Sequence, residues 1–327
     1  MKKNIDDIAA LAGVAKSTVS RYLNGGYVSE ATKRKIKKVI EETNYEPNAF
    51  AQSLKAKKTN FIGVIAPRLD SYATSKTLIG IDEELKRQNH NLFIANTGQN
   101  VEREWEYLYS FAKQKVAGII LIATEMTEKH EEIIKNIQLP VLIVGQQSES
   151  FHSLIHDDYQ AGWVIGNYVK EKGHKRIAYL GVTERDIAVG VKRKKGFSQA
   201  VGRGKPVEVR YYETSFSMEE AIEKAKQILD EYHPTVIVCA TDNIAFGAMK
   251  AISLKGLSIP GDVSVTGFGG YNISRVIHPS LTTIRFAYKQ TGEMAAASII
   301  KMINGGDVPR LQVSHFNFDE GDSVRTL

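Results

Sequence analysis

The sequence predicts a small all-helical N-terminal domain followed by a large α/β core of two lobes, each with a parallel, doubly wound sheet. The first observation is the charge distribution: the first 60 residues hold 12 Lys or Arg and 6 Asp or Glu, whereas residues 61–327 hold 31 of each. The whole net charge of +6 therefore lies in the N-terminal segment, which indicates a nucleic-acid-binding module. The second observation is that strand-like and helical stretches alternate strictly from Phe61 onward.

Three short helices are predicted within residues 4–44. The first covers Ile5–Ala12, the second covers residues 17–24, and the third is capped by Ser29 and runs to about Thr43. A glycine turn separates the first helix from the second, which is short and polar. This order is a helix-turn-helix layout, in which the second helix can enter the major groove of DNA.

The core is predicted to contain ten strands. They are residues 61–67, 92–96, 118–123, 140–144, 153–157, 176–181, 207–212, 235–239, 263–268 and 282–286. Nearly continuous apolar strands between helices argue for parallel sheets covered on both faces. Ten strands exceed what one compact doubly wound sheet usually carries, so two lobes with a cleft are expected. Ligands in such folds bind beyond the carboxyl ends of the strands.

Composition excludes several classes of protein. The chain is 43% hydrophobic and 24% charged, and no apolar run approaches the ~20 residues that span a bilayer. Lys2 and Lys3 are followed by Asp6 and Asp7 rather than by the apolar stretch of a signal peptide. The single cysteine, Cys239, fits a reducing compartment. We therefore expect a cytoplasmic protein without a membrane partner.

Sequence motifs of common enzymes are also missing. No GxGxxG or P-loop string follows a strand, no GxSxG elbow occurs, and the eight His residues show no metal-ligand spacing. The sequence therefore predicts a protein that is not an enzyme and that uses no cofactor and no metal.

The chain contains, in this order, the motifs NIDDIAALAGVAKSTVSRYLNGG, YEPNAFAQSLKAKKTNFIGVI, HDDYQAG, GHKRIAYLG, RKKGF, ATDNIAFGAMKAI, IPGDVSVTGFGG and HPSLTTIRF. Together they resemble the lactose-repressor/galactose-repressor (LacI/GalR) family of bacterial transcription regulators, and the similarity covers essentially the whole chain. The resemblance implies a DNA-binding headpiece, a hinge helix and a two-lobed core like a periplasmic sugar-binding protein.

The resemblance also implies domain boundaries. The headpiece covers residues 1–46, the hinge 47–60 and the core 61–327, which serves effector binding and dimerisation. The chain crosses between the lobes three times. The lobe boundaries that follow are about 61–157 and 287–316 for lobe 1, and about 158–286 and 317–327 for lobe 2.

The resemblance places Lys16, Ser17 and Arg21 on the major-groove face of the second helix. Arg and Lys reach O6 and N7 of guanine, and a Ser hydroxyl serves either base or phosphate. The alternative for Arg21 is a solvated surface charge. Four further residues are implied as phosphate or positioning contacts. They are Thr18, Asn24, Tyr45 and Asn48.

The hinge, Pro47 to Lys58, is too short and basic to be stable as an isolated helix, so we expect it to fold only on DNA. Leu54 matches the hinge leucine of the family, an apolar wedge that enters the minor groove and kinks the operator. Its alternative is ordinary packing against the core. Lys55 lies near the DNA backbone and is expected to contribute sequence-independent, salt-sensitive affinity.

In the core, the resemblance matches Arg193 of RKKGF to an arginine that holds a sugar hydroxyl or an acidic effector. It matches Thr241 and Asp242 to another effector-contacting turn. For Asp242, an equal alternative is that its side chain caps the following helix. Saccharides also bind aromatic faces, and plain packing is the alternative for each aromatic candidate. The remaining effector candidates are Ser71, Tyr72, Gln146, Phe216, Phe286 and Tyr288.

In the core, two sites depart from the family pattern. Gly269 and Gly270 stand where many relatives carry an Asp pair, and Gly145 replaces the carboxylate usual after PVLIV. Together, KSTVSRYLNGG and GFGGY look most like the sucrose-operon repressors of Gram-positive bacteria, which predicts sucrose or a fructoside as effector. Because of the basic residues beside Arg193, a phosphorylated sugar remains an alternative effector. They are Lys192, Lys194 and Lys195.

The resemblance thus predicts a homodimeric repressor of a carbohydrate-utilisation operon. It binds double-stranded operator DNA and is released by a small sugar bound between the lobes. The alternative is a catabolite-type regulator whose DNA binding is enhanced by a phosphocarrier protein. The chain shows no trailing leucine heptads before Leu327, which favours a dimer over a tetramer.

Overall fold

The structure, a computed structural model, describes residues 3–23, 26–45, 59–204 and 206–327. By their internal contacts the residues divide into two units, Met1–Thr59 and Asn60–Leu327. We call the first unit the headpiece and the second unit the core.

The headpiece consists of three helices, α1 (Ile5–Ala12), α2 (Lys16–Leu23) and α3 (Glu30–Thr43). The Asn4 side chain caps α1, because it accepts hydrogen bonds from the first-turn amides, and Gly13 ends α1 in the left-handed conformation. A small apolar core joins the three helices. Its buried members are Ile8, Ala9, Ala12, Val19 and Ile36. The three helices match the predicted ones to within a residue at each end.

Lobe 1 of the core is built on six parallel strands. They are β1 (Phe61–Ala66), β2 (Asn91–Asn96), β3 (Gly118–Ile122), β4 (Val141–Val144), β5 (His152–His156) and β11 (Leu311–Ser314). Their order in the sheet is β11-β5-β4-β3-β1-β2. Four helices belong to this lobe. They are α4 (Tyr72–Arg87), α5 (Val101–Lys113), α6 (Glu128–Ile137) and α11 (Tyr288–Ile303).

Lobe 2 is built on a second six-stranded sheet. Its strands are β6 (Arg176–Gly181), β7 (Glu208–Glu213), β8 (Val236–Cys239), β9 (Ser264–Gly269), β10 (Thr282–Phe286) and β12 (Phe316–Asp319). The order is β12-β10-β9-β8-β6-β7, with β12 antiparallel to β10 and the other pairs parallel. Four α-helices belong to this lobe. They are α7 (Asp158–Glu171), α8 (Lys194–Val201), α9 (Met218–Glu231) and α10 (Asp242–Leu254). A π-helix at Ile187–Arg193 precedes α8, and a short 3₁₀ helix lies at Asn272–Arg275.

The chain passes between the lobes after β5, after β10 and between β11 and β12. The fold class predicted from the sequence is confirmed, and all ten predicted strands are present. The sequence did not predict β11 and β12. Both are short edge strands, and Leu311 and Val313 of β11 are exposed, so the apolar pattern of a buried strand is missing.

Two glycines let α7 and α8 approach closely in lobe 2. A Cβ atom at Gly162 would lie 2.0 Å from the carbonyl oxygen of Arg193, and one at Gly196 would lie 1.9 Å from that of Tyr159. Any larger side chain at either position would push the helices apart. This close approach brings the start of α7 against the end of the π-helix, where the functional cleft begins.

Candidate functional site

A cleft opens between the lobes at the carboxyl ends of the parallel strands. One part of it, which we call the inner cavity, has a volume of about 180 Å³. Several of its lining residues come directly after a strand or a lobe crossing. These are Pro67, Ala123, Thr124, Gly145, Gln146, Asp158 and Thr241. The strand-end rule applied to the sequence therefore located this cleft.

A buried ion pair forms one wall of the inner cavity. Arg193 is only 4% exposed, and its Nε donates to Oδ1 of Asp158 at 3.1 Å while Nη2 donates to the same oxygen. Nη1 donates to the carbonyl oxygen of Ala240, and the guanidinium lies 4.8 Å from the ring centre of Phe268 and 5.1 Å from that of Phe286. Three of the five N–H donors are engaged in these bonds, which leaves two for a ligand.

A second polar contact crosses the cavity. Gln146, at the end of β4 in lobe 1, donates from Nε2 to Oδ1 of Asp186 in lobe 2 at 3.3 Å. The same carboxylate oxygen accepts the amide of Val189 at 3.0 Å, which caps the π-helix. Burial raises the pKa of Asp186. The cavity thus has amide, carboxylate and guanidinium groups that can exchange hydrogen bonds with a polar ligand.

Aromatic side chains supply the remaining wall. Tyr72 of lobe 1 stacks on Tyr271 of lobe 2 with ring centres 4.2 Å apart, and Tyr288 meets Tyr72 edge-on at 6.4 Å. Arg68 lies 5.6 Å above the ring of Phe216 across the cleft. Flat apolar faces beside hydrogen-bonding groups are the surroundings that a saccharide needs.

His156 lies where the three crossings come together. Its Nδ1 is 2.5 Å from Oγ of Ser314, and its ring lies 4.8 Å from Phe286 and 5.3 Å from Tyr288. Burial lowers the pKa of His156 to about 4, with Arg193 acting in the same direction and Asp158 opposing it. The imidazole is therefore neutral near pH 7, so it does not add a charge to the cavity.

Six of the predicted effector residues line the inner cavity. They are Ser71, Gln146, Arg193, Phe216, Thr241 and Tyr288. Tyr72 instead lines a neighbouring opening of about 840 Å³, which we call the outer pocket and which shares Arg68, Ser71, Phe216, Asn243 and Tyr271 with the inner cavity.

Asp242 and Phe286 lie beneath the cavity rather than on its surface. Asp242 is fully buried and accepts hydrogen bonds from the Tyr271 amide and from the hydroxyls of Ser274 and Thr283. The side-chain cap of α10 is Thr241, which accepts the amide of Ile244, so Asp242 does not cap this helix. Phe286 is 3% exposed and supports the Arg193 guanidinium from below.

Several cavity residues were not predicted. They include Arg68, His156, Asp158, Asp186, Asn243 and Tyr271. Arg68 directly follows the first predicted strand, and Asp158 lies within HDDYQAG, so both positions carried a usable signal. The sequence does not reveal that the loop after β6 folds back through a π-helix, which is why Asp186 was missed.

In the headpiece, the predicted base-reading residues lie on α2. Lys16 is its first residue, and its Nζ lies 2.6 Å from Oδ2 of Asp6 with both side chains substantially exposed. Ser17 and Arg21 are exposed, whereas Thr18 is half-buried. Because an exposed ion pair contributes only about 0–1 kcal/mol, Lys16 can leave Asp6 for DNA at little cost.

Tyr45 packs against the headpiece core and is half-buried. Burial and the nearby Asp6 carboxylate raise the pKa of its phenol. The remaining predicted DNA contacts lie outside the described residues. They are Asn24, Asn48, Leu54 and Lys55.

Neither metal binding nor membrane insertion finds support in the described part of the chain. Residues 3–23, 26–45, 59–204 and 206–327 contain no group of three or more His, Cys, Asp or Glu arranged to hold a metal ion. Nor does any helix in these segments have the length and apolar character to cross a membrane. Cys239 is buried, and burial raises the pKa of its thiol, so it is chemically inert.

A helix-turn-helix headpiece and a two-lobed α/β core with a polar, aromatic cleft together define the class of DNA-binding regulators that sense a small molecule. Residues 4–48 match the family described as bacterial regulatory proteins, lacI family, and residues 167–324 match the periplasmic binding protein-like domain. The chain belongs to the lacI family.

Relatives and solved structures agree with this assignment. The sucrose operon repressor of Staphylococcus xylosus is 41% identical over 92% of this chain and 94% of the relative. Catabolite control protein A of Priestia megaterium is 30% identical over 93% of each protein. The crystal structure of the lac repressor dimer bound to operator and an anti-inducer shares the fold, with a TM-score of 0.91, 24% identity, and coverage of 99% of this chain and 100% of that chain. The prediction of a transcription regulator rather than an enzyme is confirmed.

The stability of the core is expected to fall as the pH drops from about 6.5 to about 4. In this range an unfolded chain protonates His156, whose ordinary pKa is 6.5, whereas the folded chain holds it neutral down to about pH 4. We expect His156→Gln to flatten the decline in unfolding free energy, measured by urea denaturation at several pH values. His174, with a pKa of about 4 through burial, supplies part of the remaining slope.

The exposed His315 provides the matched control. His315→Gln should leave the pH profile of the unfolding free energy unchanged. A profile that is equally steep in wild type and His156→Gln would contradict the assignment of a buried neutral imidazole.

Proposed function

We propose that this protein represses a carbohydrate-utilisation operon and leaves its operator when an uncharged sugar binds in the inner cavity. The observation that carries the proposal is the buried Arg193–Asp158 pair, which supplies two free guanidinium N–H donors without net charge. The likeness to the sucrose operon repressor of Staphylococcus xylosus supports sucrose or a fructoside as the sugar.

The charge of the cavity favours a neutral ligand over a sugar phosphate. Its lining contains two arginines, Arg68 and Arg193, and two carboxylates, Asp158 and Asp186. The lysines beside Arg193, which suggested a phosphorylated sugar as an alternative effector, are not part of the lining. Lys192 bonds Oε1 of Gln147 at 3.2 Å, Lys194 bonds Oε1 of Glu184 at 2.8 Å, and Lys195 is exposed. A phosphate would therefore bring charge that this cavity does not compensate.

On the DNA side, we propose that Lys16, Ser17 and Arg21 read base edges. The remaining predicted contacts then hold the phosphate backbone or bend the operator, as set out from the sequence. Sugar binding lowers operator affinity if the sugar binds more tightly to the lobe arrangement that does not hold the hinge on DNA. This coupling requires the operator DNA and the effector to be in the same compartment, which we propose is the cytoplasm.

We further propose that the chain acts as a homodimer on a pseudo-palindromic operator. Apolar side chains on the surface of both lobes support this. Ile79 on α4 and Ile94 on β2 are 44% and 47% exposed in lobe 1, while Leu254 and Val276 are 55% and 75% exposed in lobe 2. The lac repressor, which shares the fold, was solved as a dimer on its operator.

Replacing Arg21 should reduce sequence discrimination. The operator is first identified by selection from a random DNA library. We expect Arg21→Ala to weaken binding to this operator by about 1–3 kcal/mol, because a bidentate guanine contact is lost. Binding to non-operator DNA should change much less. Lys35→Ala, which removes an exposed charge from α3, is the control and should weaken both complexes alike. Fluorescence anisotropy measures both affinities. Equal losses on operator and random DNA for Arg21→Ala would assign Arg21 a sequence-independent contact, and no loss on either would leave it a solvated surface charge.

Neighbouring glutamines test the sugar proposal. Gln146 is 5% exposed and lines the inner cavity, whereas Gln147 is exposed and lies outside it. We expect sucrose or a related fructoside to release operator from the wild type. Gln146→Ala should require at least about fivefold more sugar, since a lost polar contact costs about 1–3 kcal/mol. Gln147→Ala should respond like the wild type.

The contrary result also identifies the alternative function. If neutral sugars and their phosphates leave the operator complex intact while a phosphocarrier protein tightens it, the protein is a catabolite-type regulator. The 30% identity to catabolite control protein A makes this the competitor to include in the assay.

A further inference from the structure

The two glycines that depart from the family pattern lie at the end of β9 and at the start of the loop that follows it. Gly269 has φ of 152° and Gly270 has φ of 64°, a region that favours glycine. A Cβ atom at Gly269 would lie 2.5 Å from Cε1 of Tyr271, and one at Gly270 would lie 2.3 Å from Cβ of Arg285. The loop therefore adopts this path only with glycine at both positions. On this path the ring of Tyr271 faces Tyr72 of lobe 1.

A buried carboxylate fixes the same loop from below. Oδ2 of Asp242 accepts the amide of Tyr271 at 2.9 Å and the hydroxyl of Ser274 at 2.7 Å. Oδ1 accepts the hydroxyl of Thr283 on β10 at 2.5 Å. Because these bonds join the loop to α10 and to the sheet, Tyr271 is held on the rigid part of lobe 2.

From this position Tyr271 reaches across the cleft to lobe 1. Its ring stacks on Tyr72, the first residue of α4, with centres 4.2 Å apart, and Phe246 meets it edge-on at 6.2 Å. The Tyr72 hydroxyl donates to Oδ1 of Asn272 at 3.0 Å. A stack and a hydrogen bond thus connect the lobes directly beside the cavity.

Tyr271 also lies on the boundary between the two spaces of the cleft, because it lines both the inner cavity and the outer pocket. We propose that Tyr72, Tyr271 and Asn272 form a clasp that holds the lobes together in the absence of effector and controls its passage between outer pocket and inner cavity. The effector part of this statement rests on the proposed function. The connection between the lobes does not.

The clasp predicts two measurable effects. Without the stack, the free protein should spend more time with its lobes apart. Effector dissociation should accelerate between about two- and tenfold, which corresponds to the usual contribution of an aromatic pair. Tyr271→Phe keeps the ring and should keep the ligand-free lobe arrangement of the wild type, whereas Tyr271→Ala should not.

Fluorescence energy transfer between the lobes tests the first effect in the full-length protein. Glu132→Cys on α6 and Glu223→Cys on α9 place dyes on exposed positions, and the native Cys239 is buried and does not compete for label. Tyr271→Ala should broaden the ligand-free distance distribution and shift it to longer values. Tyr109→Ala, on the exposed part of α5, is the control and should leave the distribution unchanged.

Tyr72→Ala removes the lobe 1 ring of the same stack. If Tyr271→Ala fails to fold, Tyr72→Ala tests the clasp in its place. Gly269→Ala should act like Tyr271→Ala, since its added methyl group displaces the ring. Distributions that are identical in wild type, Tyr271→Ala and Tyr72→Ala would overturn the clasp. So would a Tyr271→Phe variant as open as Tyr271→Ala.

Stopped-flow displacement of a bound sugar tests the second effect. Faster sugar dissociation from Tyr271→Ala than from Tyr271→Phe is expected, and equal rates would overturn the gating part of the proposal. If no sugar binds to the wild type, the proposed effector is wrong, while the distance measurement on the ligand-free chain still supports or overturns the clasp.

Discussion

The buried pair of Arg193 and Asp158 is the interaction on which the cleft depends. Taking two charges out of water is costly, and the pair persists only where geometry and additional hydrogen bonds are good. Here the carbonyl of Ala240 and two aromatic rings complete the surroundings of the guanidinium. Gly162 and Gly196 make the geometry available, because only without their side chains do α7 and the segment of Arg193 come this close.

This pair is also the reason why we propose an uncharged ligand for the site. A guanidinium already neutralised by its own carboxylate offers directional donors rather than a free positive charge. On the opposite wall, Gln146 of lobe 1 and Asp186 of lobe 2 form a second hydrogen-bonded pair. The charge separation visible in the sequence therefore has a structural counterpart: the excess positive charge lies in the first unit, and the core keeps its charges balanced.

In the described residues, several side-chain contacts between the lobes lie around the inner cavity. His156, Ser314 and Tyr288 lie beside the three crossings, and the tyrosine clasp lies at the edge of the same cavity. A ligand in the cavity contacts residues of both lobes, so it can favour one lobe arrangement over another by differential contacts. Such a difference is what the proposed control of operator affinity requires.

The sequence predicted the architecture, because it depends on local pattern, and six of the residues that line the inner cavity. Apolar strands and the strand-end rule located the cleft, and the resemblance to the LacI/GalR family pointed to Gln146, Thr241 and Arg193, which line the inner cavity. The sequence could not show that HDDYQAG and RKKGF interlock through their glycines, nor that Asp242 is buried below the surface. It also could not show that Gly269 and Gly270 shape a loop around Tyr271. Each of these depends on contacts between residues distant in the chain, which single-chain periodicity does not encode.

A double-mutant cycle on Arg193 and Asp158 tests the central claim most directly. Arg193→Met and Asp158→Leu each leave a buried charge unpaired and should each lower the unfolding free energy by about 3–5 kcal/mol. The double variant should lose much less than the sum of the two, with an interaction energy above about 2 kcal/mol, and all three variants should lose sugar binding by calorimetry. Additive losses of stability, or sugar affinity that survives in the double variant, would contradict the account.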